Sequence, residues 1–266
     1  MGAAGVKAVV DDKSRRAAAR AGAASSICRL FFSRVRQEIT YTAKKVCSVT
    51  FVPEICLALQ IPPAEASLPS SGGGKARGAA QKQGQPAPVD LTQCLAAFFS
   101  SEEIDGGTKK RLSLDTAPPA LLLQLKRFNF DARRGESIKI VRDVTYPLRL
   151  ALSADICSQD LWEEGEGAGA RAGSASDSLP PSSSSSSSSS SFELSSPPLP
   201  SPGPRYSLAA VVLHHGQSTA GGHYTTCALG ADGVWRHFDD AGVDEVTEAS
   251  ALAQTRQCYL LYYVRC

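Results

Sequence analysis

Ten serines in succession, residues 182–191, followed by SSPPLPSPGP to residue 204, prevent this chain from folding as one uninterrupted unit. Segments so polar and so rich in proline bury too little apolar surface to offset the entropy of ordering them. The Gly-rich, acidic run ahead of the serines extends that expected disordered insertion over 163–204, and AEASLPSSGGGKARGAAQKQGQPAP makes a second over 64–88. Residues 1–27 are rich in Ala and Arg, have no strand pattern and are expected to stay disordered. Three blocks can build a core: 28–62, 89–162 and 205–266.

Within the first block, VCSVTFV and ICLALQI have the β-branched and apolar content of strands. The second opens on a helix, with Asp90 as N-cap, Gln93 three residues on, and Leu91, Leu95, Phe98 and Phe99 sharing a face. PPALLLQLKRFNF puts prolines outside and an apolar run inside, which predicts a strand covered on both faces. YSLAAVVLHHG, HYTTCAL, VWRHFD and QCYLLYYVRC read as short strands between Gly-containing turns. The sum is an antiparallel α+β fold interrupted by long insertions.

Several function classes drop out on charge and hydropathy. A formal net charge of +2 offers no basic stripe for nucleic acid. No apolar run approaches the ~20 residues a membrane helix needs. The opening residues lack the apolar centre of a secretory signal. Eight irregularly spaced cysteines without an export signal are expected to stay reduced, in the cytoplasm or nucleus. GGGKAR at 72–77 lies in a disordered stretch rather than between a strand and a helix, so no cofactor is expected.

The histidines carry the remaining chemistry. His214 and His215 are adjacent in a strand, so their side chains point to opposite faces and cannot readily share a metal. His237 reads as structural. His223 differs, because Gly221 and Gly222 stand directly before it, able to adopt φ values closed to other residues and to let another backbone approach. A histidine just past such a pair can act as general base toward whatever lies over the glycines. If HYTTCAL and VWRHFD form a hairpin, Asp239 comes beside His223, where a carboxylate fixes the imidazole tautomer and stabilises the imidazolium. An ordinary surface pair is the bland alternative. Ser218 as a nucleophile lacks the strand–turn–helix elbow that such a serine needs.

YSLAAVVLHHGQSTAGGHYTTCAL, GVWRHFDDAGVDEV and CYLLYYVR resemble the histidine box and closing strands of the ubiquitin-specific proteases, papain-like cysteine proteases that remove ubiquitin. LTQCLAAFFSSEEIDG, PPALLLQLKRFNFD and YPLRLAL are similar to palm segments of that family, in the expected order. LFFSRVRQEITYTAKKVCSVTFVPEICLALQI resembles the rear of its fingers. The resemblance implies a papain-like cysteine protease fold: an antiparallel palm sheet (89–162 and 205–266) with partial fingers (28–62), the thumb half missing. It also implies ubiquitin or ubiquitinated proteins as partner, and hydrolysis after the C-terminal Gly of ubiquitin. By the same resemblance His223 is the base, Asp239 orients it, and Asp240 is a second polar residue beside them. Gly221 and Gly222 form a side-chain-free channel for the Gly-Gly tail, and Tyr224 supports the histidine loop. The family's nucleophile motif, G-x-x-N-x-G-N-T-C, does not occur in the 266 residues, and each cysteine reads as structural or incidental. The C-x-x-C pairs that hold zinc in many relatives are missing too, so no metal is expected. Two accounts stay open: a piece of an active protease, or a non-catalytic ubiquitin-binding scaffold.

Overall fold

The computed structural model of the protein describes residues 6–63, 86–131, 135–162, 203–216 and 221–266. Most of the two expected insertions, and Ser218, therefore lie outside the described residues. None of the described helices is long and apolar enough to cross a membrane.

The expectation of an unstructured opening is corrected from Lys7 onward. That segment forms β1 (Lys7–Val10), α1 (Asp12–Ala23) and α2 (Ser26–Phe31). Alanine has the best helix propensity of any residue, and Asp11 caps α1 by accepting from the Lys13 backbone N–H at 3.0 Å. Small side chains then let α1 lie close on a sheet, where Ala18 is buried against Val49 and Phe51. That contact is tertiary, which is why the local sequence does not announce it.

The sheet beneath α1 contains β2 (Ser33–Tyr41) and β3 (Val46–Glu54), paired antiparallel over nine residues from Ser33↔Glu54 to Tyr41↔Val46. β4 (Leu57–Gln60) leaves to join a second sheet. Next come β5 (Val89–Asp90) and α3 (Leu91–Phe99), whose Asp90/Gln93 capping box forms as expected. On α3 the buried residues are Leu91, Cys94, Leu95 and Phe99, with Phe98 partly buried. β6 (Glu102–Asp105) and β7 (Thr108–Thr116) complete the first sheet, in the order β1-β3-β2-β7-β6.

β8 (Ala120–Lys126) enters the larger sheet. It buries Leu121, Leu123 and Leu125 on one face, whereas Leu122 and Gln124 on the other are only half-buried. The expected cover on both faces is thus complete on one and partial on the other. β9 (Phe128–Asp131) and β10 (Glu136–Lys139) form an antiparallel ribbon, and β11 (Val144–Thr145) pairs with β5. β12 (Arg149–Ala151) adds to β13 (Arg205–His215). β14 (His223–Leu229), β15 (Trp235–Asp239), β16 (Gly242–Val246), α4 (Glu248–Leu252) and β17 (Cys258–Arg265) follow. The strand order is β16-β15-β14-β13-β17-β8-β4, antiparallel except for β4 beside β8. Leu208, Val211 and Leu213 of β13, Leu261 and Tyr263 of β17 and the α3 residues share one core. The fold is α+β and mostly sheet.

Candidate active site

β14 and β15 form the expected hairpin, with Thr226 opposite Phe238 and Leu229 opposite Trp235. Continued toward its open end, this register sets the first residue of β14 diagonally across from the last of β15. There His223 Nε2 donates to Asp239 Oδ1 at 2.5 Å. The hydrogen bond to Asp239, more than any other influence, holds the His223 pKa above its ordinary 6.5, with Asp239 and Asp240 charge adding to it. With Nε2 engaged, Nδ1 is the ring nitrogen that remains to exchange a proton with a reactant. Both side chains are about half exposed, at 45% and 50%, so the pair stands on an open shelf rather than in a cavity.

Asp240 follows at φ 49°, a left-handed conformation that Asp tolerates better than most residues, in the turn between β15 and β16. His223, Asp239 and Asp240 bring ligand atoms within 4.8 Å of one another, a set able to hold a divalent cation as well as to position a base.

The two glycines serve different purposes, and neither serves the one expected of its φ. The positive-φ glycines among the described residues are Gly106, Gly107, Gly135 and Gly233. At Gly222 the constraint is space: a Cβ would run into His214 Nε2 and lie 2.9 Å from the His215 carbonyl oxygen. Gly221 has nothing within 4 Å of such a Cβ, so it alone faces open space. Close approach at Gly222 is thus to the end of β13.

His214 and His215 are structural, as expected, but in different ways. His215 Nε2 meets Thr225 Oγ1 at 2.9 Å across the β13–β14 pair. His214 is buried in an aromatic cage, with Tyr224 at 4.8 Å and Phe128 at 5.2 Å between ring centroids. Burial, Lys139 and His215 hold the His214 pKa below its ordinary value, and its Nδ1 has no hydrogen-bond partner. Tyr224 is half exposed and its ring leans on His214. His237 lies mid-strand opposite Cys227 and Asp244.

Sequence reasoning missed Arg127. Its side chain is fully buried and donates to the carbonyls of Ile140, Arg142, Thr255 and Cys258, at 3.2, 2.8, 2.8 and 2.5 Å. The charged Lys-Arg step in an apolar run was the available signal, because a strand end rarely buries a guanidinium without backbone acceptors.

No described cysteine hydrogen-bonds to His223. Cys227 lies four residues along the same strand, roughly 13 Å away at strand rise. Burial pushes Cys94 and Cys157 up to about 11 and also raises Cys56, Cys227 and Cys258, opposite to the depressed pKa of an activated thiol.

Residues 9–263 match the family model described as ubiquitin carboxyl-terminal hydrolase. Ubiquitin carboxyl-terminal hydrolase 10-B of Xenopus laevis is 31% identical over 189 residues, covering 66% of this chain and 19% of the relative. Ubiquitin carboxyl-terminal hydrolase 3 of Mus musculus is 26% identical over 257 residues, covering 91% of this chain and 39% of the relative. The chain therefore spans about a fifth to two fifths of these relatives' lengths. The solved SAGA Ubp8/Sgf11/Sus1/Sgf73 DUB module bound to ubiquitin aldehyde superposes with a TM-score of 0.60 at 19% identity, over 90% of this chain and 42% of that one. That likeness is one of fold.

Proposed function

Since the chain belongs to the ubiquitin carboxyl-terminal hydrolase family, we propose that it is the histidine-bearing part of a deubiquitinase, built to receive the C-terminal tail of ubiquitin. The observation that carries this reading is the His223–Asp239 pair, held at 2.5 Å beside the uncrowded backbone of Gly221. The solved relative in complex with ubiquitin aldehyde supports the choice of ligand.

In the reaction this family performs, a thiolate attacks the carbonyl carbon of the terminal glycine. His223 Nδ1 takes the thiol proton and passes it to the departing lysine amine, breaking the isopeptide bond and leaving a thioester. His223 then takes a proton from water as that water attacks the thioester, and returns it to the thiol. Asp239 keeps Nε2–H pointed at itself and offsets the charge of the imidazolium in each cycle. Asp240 adds negative potential at the same place.

In this reading the 266-residue chain supplies the base and not the nucleophile, and it binds ubiquitin without cleaving it. Its free thiols suit the cytoplasm or nucleus. Ubiquitin carrying a C-terminal electrophile tests the reading: the chain is expected to bind ubiquitin yet remain unlabelled. Covalent labelling would place a working thiol in this chain, and failure to bind ubiquitin at all would remove the proposal. In a longer form that carries the thiol motif, His223→Ala should abolish turnover. Asp239→Asn should weaken it less, because an amide oxygen still orients the ring.

A further inference from the structure

The β9–β10 ribbon is not part of the catalytic pair, yet its last register pair, Phe128↔Lys139, grips the strand end on which that pair depends. Phe128 sets its ring edge-on to His214, with centroids 5.2 Å apart. Lys139 Nζ donates to the His214 carbonyl and to the Gly216 carbonyl, each at 2.8 Å. These oxygens lie on either side of His215, which is the final partner of His223 in the β13–β14 register. Among the described side chains Lys139 has no carboxylate partner, and its ammonium donates to these two backbone oxygens. A cation half-withdrawn from water and committed to two carbonyls is a costly arrangement on a surface ribbon. Burial and Arg127 lower its pKa, as such a position requires.

We propose that Lys139 is a positioning residue for the base: by bracketing His215 through two carbonyls, it fixes the end of β13 and hence the placement of His223 against Asp239. The proposal rests on the reading of His223 as base. Phe128 and Lys139 act as two jaws of one clamp, apolar on the ring side and cationic on the backbone side. The clamp reaches the pair without touching either member.

The test is a histidine titration by NMR on the full chain, wild type against Lys139→Met and Lys139→Arg, with amide hydrogen exchange on the same samples. Removing a cation by itself raises nearby histidine pKa values, and for His214 and His215 that direction is expected, since Lys139 charge now lowers both. His223 should move the other way, falling toward its ordinary value as contact with Asp239 loosens. Exchange at Gly216, Gly222 and His223 should quicken by about tenfold or more, the signature of local opening. Lys139→Arg, which keeps charge and donors, should recover most of both effects. A His223 pKa that rises with the other two, or exchange that does not change, overturns the positioning role. Should Lys139→Met fail to fold, Lys139→Gln carries the same comparison, with a smaller drop expected at His223. None of these readouts uses ubiquitin, so a parallel binding measurement that failed would count against the proposed function and not against the clamp.

Discussion

At the scale of single residues, the catalytic reading comes down to which neighbour each side chain meets. Asp239 raises the His223 pKa chiefly through one hydrogen bond, so Asp239→Asn should bring that pKa back toward 6.5, read by NMR titration. A base must be neutral, so in a longer form that carries the thiol motif hydrolysis assisted by His223 should have its acid limb above pH 6.5, and lower in the Asn variant. The adjacent glycines make a second contrast. Gly222→Ala forces a methyl group into His214 and the His215 carbonyl, and is expected to cost about 1–3 kcal/mol in denaturant unfolding. Gly221→Ala meets no atom within 4 Å and should leave stability within roughly 0.5 kcal/mol, so any loss of ubiquitin binding there reports on the tail. The sequence made the importance of the glycine pair legible, but not the division of labour between them. That division depends on where the end of β13 lies, and only the folded register decides it.

Among the elements, strands and the α3 cap were legible because they follow from local pattern: short apolar runs between Gly-containing turns, and an Asp with Gln three residues later. α1 was not, because DKSRRAAARAGA offers only alanine as apolar surface; burial of Ala18 against Val49 and Phe51 is a property of the pair of elements. Arg127 is the same lesson in polar form. It joins the start of β9 to the segment before β11 and to the turn before β17 through four backbone oxygens. Arg127→Met keeps the bulk and strands those acceptors, and should lower the unfolding free energy by at least about 3 kcal/mol in chemical denaturation. A loss below about 1 kcal/mol would mean that water satisfies the carbonyls instead.

For the molecule as a whole, buried His214 shapes the response to mild acid, with exposed His215 adding little. His214 and His215 have pKa values below 6.5 in the fold, while the unfolded chain restores the ordinary value. The unfolded state therefore binds more protons once the pH falls below about 6.5, and the stability these residues give is full above that pH and lost as pH drops through their folded values. His223 has the opposite sign, its stabilisation fading as pH rises through its raised value, but it is exposed and contributes little. The denaturation midpoint should accordingly fall between pH 7.5 and 5.5, and His214→Phe should flatten that decline. A midpoint that is level or rises on acidification would show these rings free to charge in place.

β17 lies between β13 and β8, and β12 adds to β13, so the C-terminal strands are woven among strands from before the serine tract. A protease that severs the chain between residues 163 and 202 would leave intact the described strands on either side. The two pieces would travel as a single particle, parted only by conditions that also melt the sheet.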